Sequence, residues 1–143
     1  MDRGTLWRVW LPLLAGLWAV GWIFLYGHGR GLHGPVRWIG LLLALIGLAG
    51  VILSRYTLGR SFSIAPKATA LVTTGIYSRI RNPIYVSGEI FLAGMLLIVG
   101  RPELMVILLL LIPIQILRAR HEAAILEAEF GEAYREYRKR TWF

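Results

Sequence analysis

Long apolar runs dominate the chain, and short segments rich in arginine separate them. The first two runs cover about residues 6–26 and 36–53, with arginines at or near their edges. A helix that crosses a bilayer needs about 20 apolar residues, so each run predicts one membrane-spanning helix. A signal peptide is the alternative for the first run. That run is too long for one, and no small-residue cleavage site follows it.

A third apolar run, from about 83 to 117, is too long for a single crossing. The sequence Gly-Arg-Pro at 100–102 interrupts it, which predicts a helical hairpin with arms over about 83–99 and 103–117. The second arm is short for a full crossing. We expect it either to continue as helix into the polar segment that follows, or to tilt and kink at Pro113.

The tail from Arg118 predicts an amphipathic helix. Its apolar positions recur at spacings of four, four and three, at Leu126, Phe130, Tyr134 and Tyr137. Such a helix either lies on the membrane surface or docks on the bundle. The predicted fold is therefore all-α, a polytopic membrane bundle of about four transmembrane helices with the last two as a hairpin, followed by this helix.

Composition agrees with a membrane protein and excludes several other classes. The 143 residues are 57% hydrophobic, 17% charged and free of cysteine, whereas an ordinary soluble domain is about 45–50% apolar and about 25% charged. A disordered chain, a disulfide scaffold and a cysteine-ligated zinc module are excluded. The length predicts a single domain over residues 1–143. Any group transfer must proceed without a thiol intermediate on this chain.

The net charge of +8 follows the predicted topology. Thirteen of the sixteen basic residues fall in the N-terminus, the central loop 54–82 and the tail 118–143. The positive-inside rule then places both termini and that loop in the cytosol. Because the basic residues follow topology and form no single patch, nucleic-acid binding has little support.

Most familiar catalytic patterns are missing. Glycines at 29, 31 and 34 spell a dinucleotide fingerprint, but no strand–helix unit fits around them. His28, His33 and His121 do not form a metal site, since the first two lie across the predicted membrane from the third. No Gly-x-Ser-x-Gly elbow and no phosphate loop is present.

The segment from Tyr77 to Tyr85 is the first candidate site. Pro83 suits a first helical turn, and Asn82 before it can cap the helix with its side-chain oxygen. A helix start favours an anionic group such as a carboxylate, and Arg81 adds a cation. The alternative is an interfacial anchor of tyrosine and arginine around an ordinary helix start.

Further polar candidates lie at the end of the predicted hairpin and inside it. Arg118 and Glu122 are four residues apart, so they share one helix face. They form either a surface salt bridge or a ligand-binding pair. Glu89 and Gln115 lie deeper, within apolar spans, where polar groups are functional candidates. Glu89 could instead pair with a neighbouring basic group, and Gln115 could join helices.

Four motifs occur in order along the chain: Leu-Val-Thr-Thr-Gly-Ile-Tyr at 71–77, Arg-Asn-Pro-Ile-Tyr at 81–85, Arg-x-x-x-Glu at 118–122 and Phe-Gly-Glu-Ala-Tyr-Arg-Glu-Tyr at 130–137. Together they resemble the isoprenylcysteine carboxyl methyltransferase family and its relatives, the integral-membrane phospholipid methyltransferases. The resemblance covers roughly residues 60–140. It implies methyl transfer from S-adenosylmethionine to a lipophilic acceptor, a carboxylate or an amine, reached from the bilayer, with S-adenosylhomocysteine as product.

The resemblance also implies roles for individual residues. It places cofactor contacts at Ala70, Leu71, Val72, Tyr77, Asn82, Pro83, Ile84, Tyr85 and Glu122. It assigns binding of the acceptor to Arg118, and it assigns catalysis to Arg118 together with Glu122. Phe130, Gly131, Tyr134 and Tyr137 match a structural signature that folds the tail over the cofactor.

Two residues depart from the family pattern. Asn82 replaces the histidine of Arg-His-Pro, and Ala123 replaces the second member of a Glu-Glu pair. Asparagine can hydrogen-bond but cannot titrate near neutral pH. The alternative function is therefore a non-catalytic membrane scaffold or lipid-binding protein that keeps the bundle. Membrane lipids are the expected partners in either case, and the oligomeric state is left open.

Overall fold

The computed structural model describes residues 3–26, 34–59, 71–100 and 102–143. Over these residues the fold is all-helical, with no strands. The helices are α1 Arg3–Tyr26, α2 Pro35–Leu58, α3 Pro83–Val99, α4 Val106–Phe130 and α5 Glu132–Arg140. Short 3-10 turns at Gly75–Ser78 and Pro102–Met105 precede α3 and α4. The glycine-rich connector at 29–33 lies outside the described residues.

Every predicted apolar run forms helix, and α3 has the predicted bounds. Gly100, in the left-handed conformation with φ of 71°, ends α3, because glycine adopts that conformation without steric cost. Helix α2 continues five residues beyond the predicted end at 53. Apolar length sets the bilayer crossing, but backbone hydrogen bonding does not stop where the side chains become polar.

The predicted separate tail helix is wrong in its boundaries. Helix α4 passes through Pro113 and continues as helix to Phe130, which is the first of the two alternatives for the short hairpin arm. The break comes at Gly131, whose φ of 50° and ψ of −121° end α4 and begin α5. No glycine or proline stands between 114 and 130, so nothing in the local sequence interrupts the helix at Arg118.

One helix among the described residues, α2, is long and apolar enough to cross a membrane by length and composition. The apolar parts of α1 and α3, Leu14–Tyr26 and Pro83–Val99, are shorter. In α4, polar residues follow the apolar part from Arg118 onward. The number of crossings therefore stays a prediction.

Helices α2 and α3 approach each other backbone to backbone along a seam of small residues. A Cβ added at Gly47 would meet the backbone of Phe91, and one added at Gly94 would meet the backbone of Ala44. Such close approach is typical of helix pairs that associate in lipid, where small residues permit backbone contact. A small apolar core of Val20, Ala44 and Ile98 adds α1 to this pair. The seam fixes α3, whose first turn bears part of the candidate site.

We expect Gly94→Ala to lower the unfolding free energy by about 1–2 kcal/mol, since the new methyl group overlaps the α2 backbone. Gly88→Ala is the matched control on the same helix, because a Cβ there meets nothing within 4 Å. That control should keep or slightly raise stability, since alanine favours helix. Thermal unfolding in detergent, followed by tryptophan fluorescence, compares the two. Equal melting temperatures for Gly94→Ala and Gly88→Ala would contradict the close backbone contact of α2 and α3 at Gly94.

Candidate functional site

A tight turn before α3 directs Tyr77 into the structure. Gly75 has a φ of 58°, which a residue without Cβ adopts readily. The Tyr77 N–H donates to the Thr74 carbonyl at 3.1 Å, and the Ile80 N–H donates to the Ile76 carbonyl at 3.1 Å. Tyr77 is buried as a result. The turn thus lies within the first of the four motifs, at its Thr-Thr-Gly-Ile-Tyr part.

Helix α3 begins at Pro83, as predicted, but the side-chain cap by Asn82 is wrong. Asn82 makes no side-chain cap hydrogen bond. Its backbone carbonyl accepts from the Tyr85 and Val86 N–H groups, at 3.1 and 3.3 Å. Its own N–H donates to the Phe143 carbonyl at 2.9 Å. The proline at the helix start has no N–H, and the Asn82, Tyr85 and Val86 N–H groups all have partners. The predicted anion site at this helix start therefore depends mainly on the positive end of the helix dipole.

The Asn82 N–H belongs to a short pairing of distant segments, which no sequence pattern indicates. Ile80 and Trp142 form an isolated parallel bridge. The Trp142 N–H donates to the Arg79 carbonyl at 2.8 Å, and the Arg81 N–H donates to the Trp142 carbonyl at 2.9 Å. The paired segment is shorter than any periodicity can detect. It holds the end of the tail against the loop that leads into α3.

Helices α3 and α4 meet through a polar contact between two predicted site residues. The Tyr85 hydroxyl donates to Glu122 Oε1 at 2.8 Å. Arg118, one turn before Glu122, acts electrostatically on the same hydroxyl. The pair predicted at the end of the hairpin thus lies against the start of α3.

The tail closes this region from the other side. The Tyr137 hydroxyl donates to the Tyr77 backbone carbonyl at 2.8 Å, and Arg81 Nη1 reaches the Arg138 carbonyl at 3.5 Å. Tyr134 and Tyr137 are both buried. The tail therefore folds back as expected. We call Tyr77, Tyr85, Arg118, Glu122 and Tyr137 the junction cluster.

The tyrosines of the loop and tail are neutral at physiological pH. Burial raises the pKa of Tyr77, and the neighbouring Tyr137 and Glu122 raise it further. Burial raises the pKa of Tyr137 to about 12. A phenol that keeps its proton is a hydrogen-bond donor. These groups therefore position ligands or backbone and do not act as general bases.

The other predicted cofactor residues are near Tyr77 and Tyr85 in the sequence, and the described ones are at least half-buried. Leu71, Val72, Asn82 and Ile84 are half-buried, and Pro83 is fully buried. Ala70 lies outside the described residues. Gly131 and Phe130 form the break between α4 and α5, across which Arg135 reaches Glu127 at 2.9 Å. That ion pair is exposed and contributes little stability, so the tyrosine contact and the Trp142 bridge hold the tail.

Glu89 and Gln115 also meet, deeper in the hairpin. Gln115 Nε2 donates to Glu89 Oε1 at 2.5 Å. The sequence left open that Glu89 pairs with a basic group and that Gln115 joins two helices. Among the described residues, Glu89 and Gln115 are hydrogen-bonded to each other. Glu89 is thus joined to an amide instead of a basic group.

The hydrogen bond from the Tyr137 hydroxyl to the Tyr77 carbonyl is expected to stabilise the docked tail. Tyr137→Phe leaves the Tyr77 carbonyl without its partner, which costs about 1–3 kcal/mol. Because the pKa of Tyr137 rises from 10.0 to about 12 on folding, its contribution is complete below pH 10 and disappears as the pH rises through 12. Thermal unfolding measured from pH 9 upward should show a smaller alkaline loss in the variant than in the wild type. Tyr56→Phe, at an exposed position, is the control, and identical profiles for all proteins would contradict the assignment.

The chain matches a known protein family over most of its length. A family model described as phospholipid methyltransferase matches residues 36–133, which is more than half of the chain. The matched range runs from α2 to the start of α5 and includes the junction cluster except Tyr137. None of the curated proteins and none of the solved structures matches the chain.

Proposed function

The chain belongs to the phospholipid methyltransferase family, and from this premise we propose that it is an integral-membrane enzyme. The proposed reaction moves a methyl group from S-adenosylmethionine to a lipophilic acceptor reached from the bilayer. The main supporting observation is the hydrogen bond between Tyr85 and Glu122. It joins two motifs that lie on different helices and that the family resemblance assigns to one site.

Exposed apolar side chains support the membrane location. Trp18 is 67% exposed, and Leu109 and Leu110 are 68% and 64% exposed. Surfaces of this kind are rare on soluble monomers and suit contact with lipid. We propose four crossings, by α1, α2, α3 and the apolar half of α4. Both termini and the junction cluster then face the cytosol, following the distribution of basic residues.

The chemistry of the junction cluster fits S-adenosylmethionine. The Glu122 carboxylate can pair with an ammonium group. The faces of Tyr77 and Tyr85 suit a sulfonium cation, and the start of α3 presents a positive dipole end to a carboxylate. When bound, this cofactor supplies an electrophilic methyl group.

The residues of this chain then position the acceptor and manage its proton. A carboxylate acceptor needs no base, and Arg118 can hold it. An amine acceptor must release a proton on methylation, and Glu122, Glu89 and His121 are the candidates to accept it. In either case the protein contributes mainly alignment of the two reacting groups.

A non-catalytic scaffold or lipid-binding protein is the second candidate. Two observations favour it. Asn82, whose side chain cannot titrate, stands where the family pattern has a histidine, and Ala123 stands where that pattern has a glutamate. This alternative predicts cofactor binding without turnover.

Two measurements on the purified full chain test the proposal. Calorimetric titration with S-adenosylhomocysteine should show binding, and radiolabelled S-adenosylmethionine should transfer its label into a membrane lipid extract. Binding without transfer would establish the scaffold alternative. Absence of both would refute the methyltransferase proposal.

A further inference from the structure

Glu89 and Gln115 form a second polar bridge between α3 and α4, deeper in the apolar hairpin than the junction cluster. Glu89 follows Tyr85 by four residues, so the two share a face of α3. Gln115 precedes Glu122 by seven residues, or two helical turns, and shares its face of α4. The second bridge therefore lies about 6 Å further along α3.

One oxygen of this bridge lacks a partner. Gln115 satisfies Glu89 Oε1, but Glu89 Oε2 is buried and has no hydrogen-bond partner within the described part of the chain. The residues next to Glu89 and Gln115 in the sequence include Ile90, Phe91, Ile114 and Ile116, whose side chains are apolar and supply no donor. A buried carboxylate oxygen without a donor is costly. Its presence points to a donor that comes from beyond the described residues.

The hydrogen bond from Gln115 restricts the orientation of the Glu89 carboxylate, including its unpaired Oε2. A hydrogen bond from an amide on the opposite helix limits rotation of the carboxyl group and so restricts the direction of Oε2. Exposed apolar side chains lie close along α4, including Ile114 at 53% and Leu117 at 63% exposure. A ligand with an apolar chain and a polar head group would satisfy both features.

We propose that Glu89 Oε2 accepts a hydrogen bond from the head group of the methyl acceptor, with Gln115 as the residue that positions it. The inference rests on the proposed function and selects among the acceptors which that function left open. Acceptors with an N–H or O–H group pair with the carboxylate. Fatty carboxylates are rejected, because two carboxylates repel each other in an apolar setting. Glu89 is then a specificity-determining residue.

Three probes with the same hydrocarbon chain length test this selection: hexadecylamine, hexadecanol and palmitic acid. Binding to the detergent-solubilised full chain is measured by thermal shift over a concentration series. We expect the amine and the alcohol to bind at least about tenfold more tightly than the acid, as hydrogen bonds to a charged group are worth that ratio or more.

Glu89→Gln gives the decisive comparison. The variant replaces the unpaired acceptor by an amide N–H donor, so palmitic acid should gain affinity and hexadecylamine should lose it. A merely structural role would lower stability without changing the order of the probes. Glu129→Gln, the same change at an exposed position on α4, is the control and should keep the wild-type order.

Failure of this inference is separable from failure of the proposed function. Equal affinities for the three probes, or an unchanged order in Glu89→Gln, would overturn the role of Glu89 even if S-adenosylhomocysteine binds and label is transferred. Absence of S-adenosylhomocysteine binding and of methyl transfer in the wild type would refute the proposed function, and the probe affinities would then report only whether Glu89 selects head groups.

Discussion

S-adenosylhomocysteine is expected to bind about 10- to 100-fold more weakly after Glu122→Gln, because a hydrogen bond between charged groups is worth about 1.5–3 kcal/mol. Glutamine keeps an oxygen that can accept from the Tyr85 hydroxyl, at 2.8 Å in the wild type, so the α3–α4 contact persists. The loss then reports the charge that would pair with the ammonium group. Calorimetry measures it directly.

Two further variants separate charge from contact at this position. Tyr85→Phe removes one hydrogen bond and keeps the carboxylate, so we expect a loss of about three- to tenfold. Glu129→Gln makes the same change of charge at an exposed position on the same helix and should bind like the wild type. Wild-type affinity in both Glu122→Gln and Tyr85→Phe would remove the junction cluster from the cofactor site.

Replacing Gly131 by alanine is expected to release the tail and to reduce methyl transfer about tenfold. With φ at 50° and ψ at −121°, Gly131 adopts a conformation that costs other residues about 1–3 kcal/mol. A Cβ there meets nothing within 4 Å, so the effect is conformational and not a clash. Faster proteolysis between α4 and α5 should accompany the loss of activity.

Gly21→Ala is the matched control for this change. Gly21 also has free space around an added Cβ, but it lies inside α1, where alanine is favourable. Its proteolysis pattern and activity should equal those of the wild type. An intact tail in Gly131→Ala would mean that the break between α4 and α5 can form without glycine.

The helices could be predicted where the determining signals are local. Apolar length located α1, α2 and α3, and the Gly-Arg-Pro sequence located the end of α3. The hydrophobic pattern predicted a helix boundary at Arg118, inside α4. This prediction is wrong because apolar side chains indicate the extent of a membrane-embedded segment and not the extent of backbone hydrogen bonding. The residue that marks the end of α4 is Gly131. The family resemblance includes Gly131 in a structural signature and does not identify it as a helix end.

Contacts between distant segments could not be predicted from composition or periodicity. The resemblance assigned Tyr85 and Glu122 to one site, and they are in contact. Nothing local indicates that Gly47 faces Phe91, or that Trp142 pairs with Ile80. These contacts depend on how complete helices dock. For the same reason the partner of the Asn82 N–H, the Phe143 carbonyl, could not be predicted.

The contacts that close the junction cluster impose an order on biosynthesis. Tyr77 and Tyr137 are 60 positions apart, and the Trp142 bridge spans a still longer stretch of chain. A ribosome supplies the N-terminal part first, so in the proposed four-crossing topology α1, α2 and α3 can enter the membrane and pair before the residues that close the cluster have been translated. During that interval the loop ahead of α3 has no tail against it. A truncated nascent chain is therefore expected to insert normally and yet be unable to retain the cofactor.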